Sequence, residues 1–370
     1  MKKIKVMTVF GTRPEAIKMA PVVLELNKNE NIEAITCVTA QHRQMLDQVL
    51  EVFGITPDYD LNLMKDKQTL IDITTRVLKE MDVVIKEAKP DIVLVHGDTT
   101  TTFAAALAAF YNQTKIGHVE AGLRTFNLYS PFPEEANRQM VGTLADLHFT
   151  PTETTKNNLL RESKKQECIY VTGNTAIDAL KTTINNEYDH DLFRWLGQDR
   201  LILLTAHRRE NLGVPMENIF NAIKQIVDEF DDVKVLYPIH MNPRIRELAE
   251  SILANHERIK IVEPLQVLDF HNFMNRAYII LTDSGGIQEE APSLGKPVLV
   301  LRDTTERPEG VEAGTLKLVG TNKKDIYETA RDLLKDLNLY ESMSQASNPY
   351  GNGDSSKQIV DIIVSYFGKE

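Results

Sequence analysis

Along this chain, short apolar runs rich in β-branched residues alternate with segments whose apolar positions recur at helical spacing. That alternation predicts parallel strands joined by crossover helices. A first series of strands is expected at 5–10, 33–39, 91–96, 116–120, 147–150 and 169–172. A second is expected at 201–205, 234–239, 259–262, 278–282, 297–301 and 316–319. The runs are apolar almost throughout, as suits strands covered on both faces. Between them lie helical stripes such as Leu46, Val49, Leu50 and Phe53, or Ile219, Ile223, Ile226 and Phe230. The predicted class is α/β, with two doubly wound, Rossmann-like domains.

With 370 residues the chain exceeds the roughly 250–300 at which a single core stops growing, which favours two domains. The boundaries expected from the pattern are 1–172 plus 355–370 for the N-terminal domain and 173–354 for the C-terminal one. The stretch 344–357, rich in Ser, Asn and Gly, reads as a loop, followed by a last helical segment that crosses back in other folds of this architecture.

Composition narrows the function. The net charge of −11 disfavours nucleic acid and an anionic membrane as partners. An anionic ligand must then be captured by clustered Arg, Lys and His side chains and by backbone N–H groups. Cys37 and Cys168 read as free, buried thiols, without metal-ligand spacing. No apolar stretch approaches the roughly 18 residues of a membrane span, and the N-terminus lacks a signal-peptide pattern, so a cytoplasmic location is expected.

Ligands of doubly wound sheets bind at the carboxyl ends of the strands, and here those tips are polar. The first is Gly11-Thr12-Arg13-Pro14-Glu15, a glycine turn opening a helix, which can be a plain turn or a phosphate cradle aided by Arg13 and Lys18. It is not the G-x-G-x-x-G fingerprint of dinucleotide binding. Further tips carry Gln41, Asp98, Glu120, His207 with Arg208, and His240. Asp283-Ser284-Gly285-Gly286 leads into another helix start, where a diphosphate could rest while Glu290 bonds ribose hydroxyls. Glu134 and Arg138 share a face of a predicted helix behind an aromatic, Pro-bounded entry. The Asp58-Tyr59-Asp60 and Asp189-His190-Asp191 triplets superficially resemble a metal-binding pair, but lie in polar connecting segments. No zinc-type motif occurs, and no metal is expected.

Taken together, GTRPEAIKMAP, TAQHR, VHGDTTT, HVEAGLRT, PFPEEANR, TGNTAIDA, AHRREN, DSGGIQEEAP and TTERPEG run the length of the chain. They resemble, in the same order, the motifs of the bacterial non-hydrolysing UDP-N-acetylglucosamine 2-epimerases. The resemblance implies a glycosyltransferase-B-like fold, two Rossmann-like domains facing a central cleft. It also implies interconversion of UDP-GlcNAc and UDP-ManNAc without NAD, metal or other cofactor. Loss of UDP from carbon 1 with removal of the carbon 2 proton would give 2-acetamidoglucal, and re-addition would complete the epimerisation, supplying ManNAc for surface polysaccharides.

Matching residue by residue, the resemblance implies Asp98, Glu120 and Glu134 as the acid/base and charge-stabilising carboxylates, and leaves open which takes the proton. Arg138 would position or neutralise one of them, and His207 would assist the departing diphosphate. Arg13, Lys18, Ser284, Gly285, Gly286, Glu290 and Arg307 match UDP contacts, with Phe270 against the uracil. Gln41, Gln44, Arg208 and His240 match a second, activating UDP-GlcNAc site, where Lys67 stands in place of an Arg and loses its planar fork. A homodimer is expected by the same resemblance. The alternatives are a hydrolysing relative that releases ManNAc and UDP, a glycosyltransferase on the same fold, and a non-catalytic UDP-sugar sensor.

Overall fold

The computed structural model describes residues 2–40, 43–63 and 68–368, with only the backbone of Gln44. Among these residues the chain divides into two compact units, Met1–Thr182 with Tyr350–Glu370, and Thr183–Pro349.

The first unit holds β1 (Ile4–Phe10), β2 (Ile32–Val38), β3 (Tyr59–Asp60), β4 (Ile92–His96), β5 (Lys115–Val119), β6 (Leu147–Thr150) and β7 (Ile169–Val171). They form one parallel sheet in the order β3-β2-β1-β4-β5-β6-β7. Because side chains alternate across a strand, Val6 and Phe10 of β1 enter one core and Met7 and Val9 the other. Helices Arg13–Lys28 and Ser355–Phe367 cover the first face. Helices Leu70–Ala88 and Thr100–Tyr111 cover the second.

The second unit holds β8 (Arg200–Thr205), β9 (Val233–Pro238), β10 (Ile259–Val262), β11 (Ile279–Thr282), β12 (Val298–Val300) and β13 (Leu316–Leu318). Its parallel sheet has the order β10-β9-β8-β11-β12-β13. Ile202, Leu204, Val235, Tyr237 and Leu281 are packed by Ile219, Ile223, Ile226, Ile245 and Ile326 from the flanking helices. The α/β class with two doubly wound sheets is as expected.

Every predicted strand is present, with ends shifted by a residue or so. The short edge strand β3 escaped prediction because two residues cannot display a period. The units part later than the expected boundary at 172/173, because helix Thr175–Thr183 stays with the first sheet. Its Ala179 enters that core, and its buried Asp178 accepts from the N–H groups of Ser355 (3.3 Å) and Ser356 (2.8 Å). The N–H of Asn174 also donates to the carbonyl of Tyr350 at 2.8 Å, which brings the return point forward from 355. Cys37 is buried as expected, while Cys168 is only partly so. No helix among the described residues is long and apolar enough to cross a membrane.

Candidate functional site

In the first sheet the strand order reverses between β1 and β4, and at such a switch point the loops diverge and leave room for a ligand. One carboxylate ties the two loops together. Glu15, only 2% exposed, accepts from the N–H groups of Gly11 (3.1 Å) and Thr12 (2.8 Å) and from the hydroxyls of Thr99 (2.7 Å) and Thr102 (3.0 Å). Thr12 caps the helix in return, closing a capping box. Two N–H groups offered by the sequence reading to a phosphate are therefore bonded inside the fold. Gly11 has a steric reason to be glycine, since a Cβ there would lie 2.1 Å from Thr39 Oγ1. Arg13 is the first residue of that helix and is half-buried.

Asp98 follows β4 across Gly97, whose φ of +65° suits glycine. His118 Nε2 lies 2.7 Å from the Gly97 carbonyl, and burial pushes this imidazole down to about 3, so the ring is neutral with its proton on Nε2. Asn137 Nδ2 donates to the Asp98 carbonyl at 2.9 Å, and the Asp98 carboxylate pairs with Arg138. Burial raises the Asp98 carboxyl above its ordinary range; Arg138 opposes the shift, while Glu120 and Glu134 add to it. A carboxyl lifted in this way is a better proton carrier near neutrality than a solvated one.

Glu120 directly follows β5 with φ +61°, a left-handed conformation that a non-glycine residue holds only where its surroundings enforce it. Its carboxylate pairs with Lys18, and His96 Nε2 lies 3.8 Å away. His96 is buried, which lowers its pKa and keeps it neutral. Its Nε2 has no hydrogen-bond partner among the described residues. Lys18, expected at the UDP, thus stands beside a carboxylate in the same unit.

Glu134 opens helix Glu134–Leu144 and is half-buried. Arg138 one turn on, expected to share a face with it, pairs with Asp98 and with Glu135 at 3.4 Å. Glu135 is fully buried and accepts from the N–H groups of Thr125 (3.0 Å) and Phe126 (3.1 Å) and from Gln139 Nε2 (2.8 Å). It anchors the aromatic entry loop, on which exposed Tyr129 and Phe132 stack with centroids 6.3 Å apart.

In the second sheet the order reverses between β8 and β11. His207 follows the first of these strands and Asp283 the second. Asp283 is completely buried and accepts from the N–H groups of His207 and Arg208, both at 2.8 Å, and from Asn211 Nδ2 at 3.1 Å. His207 Nδ1 sits 3.2 Å from its other oxygen. The imidazole stacks on His240 with centroids 5.6 Å apart.

Next to them, Ser284 precedes helix Gly285–Glu290, whose first N–H groups have no carbonyl within the helix to bond. A Cβ on Gly285 would touch the Arg307 guanidinium at 3.4 Å, and Arg307 Nε donates to buried Glu289 at 2.6 Å. Glu290 lies 3.9 Å from His271, whose ring is 6.5 Å from that of Phe270. The predicted residues of this unit thus gather in two neighbouring groups, one around Asp283 and one around the Gly285 turn.

Of the expected activator residues, Gln41 and Lys67 lie outside the described residues, as does the side chain of Gln44. Arg208 and His240 adjoin His207. Neither acidic triplet is arranged around an open site: Asp58 accepts from Thr36 N–H (2.8 Å), Asp60 pairs with Arg43, and Asp189 and Asp191 pair with Arg194. Among the described residues no cluster of His, Cys, Asp and Glu could hold a metal ion. Sequence reading assigned no role to Glu15, Glu135 or Asp283, although the Thr12-x-x-Glu15 spacing is a capping-box signal.

The chain is similar to known proteins over its whole length. The family described as UDP-N-acetylglucosamine 2-epimerase matches residues 24–364. A UDP-N-acetylglucosamine 2-epimerase of Bacillus subtilis is 64% identical, over 100% of this chain and 97% of the relative. A Staphylococcus aureus MnaA–UDP co-structure superposes with a TM-score of 0.90 at 56% identity, covering 100% of this chain and 97% of that one. The UDP-GlcNAc 2-epimerase of Neisseria meningitidis, solved with UDP-GlcNAc, superposes with a TM-score of 0.87 at 51% identity, covering 98% and 100%. The chain belongs to the UDP-N-acetylglucosamine 2-epimerase family.

Proposed function

We propose that this protein interconverts UDP-GlcNAc and UDP-ManNAc by eliminating and re-adding UDP. The observation that carries the reading is the pair of ion-paired carboxylates, Asp98 with Arg138 and Glu120 with Lys18, at adjacent strand ends of the first sheet. Carbon 2 of the sugar bears an acetamido group and no neighbouring carbonyl, so its proton is removed only as the bond from carbon 1 to the phosphate oxygen breaks. A carboxylate takes the carbon 2 proton, the C–O electron pair leaves with UDP, and 2-acetamidoglucal remains. Return of UDP to carbon 1, with a proton delivered to the opposite face of carbon 2, completes a redox-neutral cycle that consumes no nicotinamide.

Asp98, Glu120 and Glu134 share the acid/base work and the stabilisation of positive charge at carbon 1. Arg138 positions Asp98. His207, Arg307 and the N–H groups of Ser284, Gly285 and Gly286 receive the diphosphate; Glu290 takes the ribose and Phe270 packs on the base. Arg208 and His240 contribute to binding a second UDP-GlcNAc that activates the enzyme. The protein acts as a cytoplasmic homodimer, and the ManNAc it supplies enters surface polysaccharide.

The test is to incubate the protein with UDP-GlcNAc alone in heavy water and follow the sugar by NMR. UDP-ManNAc carrying deuterium at carbon 2 is the expected product. Free ManNAc with UDP would instead identify the hydrolysing reaction, and unlabelled product would sink the elimination route.

A further inference from the structure

The second unit contains a buried carboxylate to which sequence reading assigned no role. Asp283 is 0% exposed, and one of its oxygens is saturated by three donors, the N–H groups of His207 and Arg208 and the Asn211 side chain. The other oxygen has no hydrogen-bond partner among the described residues, and the atom that faces it, His207 Nδ1, lies 3.2 Å away. A buried carboxylate is an acceptor only, so the imidazole atom that meets it must carry a proton. The His207 side chain keeps 40% of its surface exposed. Nε2 is therefore the nitrogen left for a ligand.

We propose that Asp283 is a positioning residue that holds the His207 imidazole with its proton on Nδ1, so that Nε2 exchanges a proton with the diphosphate oxygen. The same carboxylate fixes the backbone of His207 and Arg208, so ring, tautomer and main chain are set by one buried group. The inference rests on the reading of His207 as the residue that meets the diphosphate. The charged and titratable groups facing this ring are Asp283, His240 and Arg208. Burial, His240 and Arg208 favour its neutral form, while Asp283 favours the imidazolium.

Asp283→Asn discriminates between a structural and a tautomeric role. The amide oxygen can keep the three donors, while its NH₂ faces Nδ1, which must then accept; the proton moves to Nε2. In full-length protein labelled with ¹⁵N-histidine, and with the His207 signal assigned by its loss in His207→Gln, the wild type should show the Nδ1-protonated neutral tautomer. Asp283→Asn should show the Nε2-protonated one. Its kcat should fall about 10²–10⁴-fold with KM little changed, and the pH at which His207 loses its proton should move down. A wild-type spectrum with the proton on Nε2 overturns the proposal, and that measurement decides the matter even if the variant does not fold. The spectrum needs no turnover, so failure of the epimerase assay and failure of this inference are separately visible.

Discussion

The two units use their switch points differently. In the first, the candidate side chains are held by other side chains from distant parts of the chain, Lys18 on Glu120 and Arg138 on Asp98. In the second, a buried aspartate ligated by main-chain N–H groups organises the site. Burial lifts the Asp98 carboxyl while the paired Arg138 opposes the shift, a balance that suits acid/base chemistry. Groups held by backbone present fixed donors, which suits a leaving diphosphate. The difference predicts that loss of a carboxylate of the first unit appears in kcat, while loss of a charged diphosphate donor of the second, such as Arg307, appears in binding.

The sharpest break would come from the carboxylates. Asp98→Asn and Glu120→Gln should each lower kcat about 10²–10⁴-fold, with UDP titrating as in the wild type by calorimetry; loss of UDP binding in either would remove the distinction between the units. A smaller effect is expected from Arg307→Ala, which deletes a charged donor beside Gly285. Its UDP dissociation constant and KM should rise about ten- to hundredfold while kcat is retained. A fall in kcat at unchanged KM would move Arg307 into the chemistry.

The smallest effect concerns stability. Burial pushes His118 down to about 3, and His148 and His271 to about 4, from an ordinary value of 6.5. Unfolded chains bind protons at these sites below about 6.5 and the folded protein does not. The stability contribution is therefore complete above that pH and is lost as pH falls, by about 1.4 kcal/mol per pH unit for each histidine. Two of the three lie in the first unit, which should melt progressively earlier than the second between pH 6.5 and 5 in scanning calorimetry. Asp98 and Asp178, both raised by burial, act in the opposite sense as they take up protons. Equal shifts of both transitions would show that the buried imidazoles do not set the difference.

Much of this was legible from local pattern. Near-continuous apolar runs such as Val93, Leu94 and Val95 announce a strand covered on both faces, and polar residues at the strand ends announce a site, because both are properties of neighbours in sequence. The Gly11 turn shows where local reading misleads. Glycine before a helix start looks the same whether it admits a phosphate or avoids the Thr39 hydroxyl, and only packing separates the two. The Thr12-x-x-Glu15 spacing signals a cap, yet the bonds of Glu15 to Thr99 and Thr102 join loops from different strands. Glu134 and Arg138 looked like partners by spacing, but Arg138 meets Asp98 across the fold and Glu135, the neighbour of Glu134, on its own helix.

The sequence by itself determined the strands, the order of helices between them, the two-unit organisation and the polar residues at the strand ends. These depend on periodicity and local stereochemistry, which each segment carries alone. Only the tertiary structure decided which charges meet: Lys18 with Glu120, Arg138 with Asp98, His207 with Asp283. Such pairings depend on strand order and burial, and the low polarity around a buried group makes each pairing decisive for its protonation.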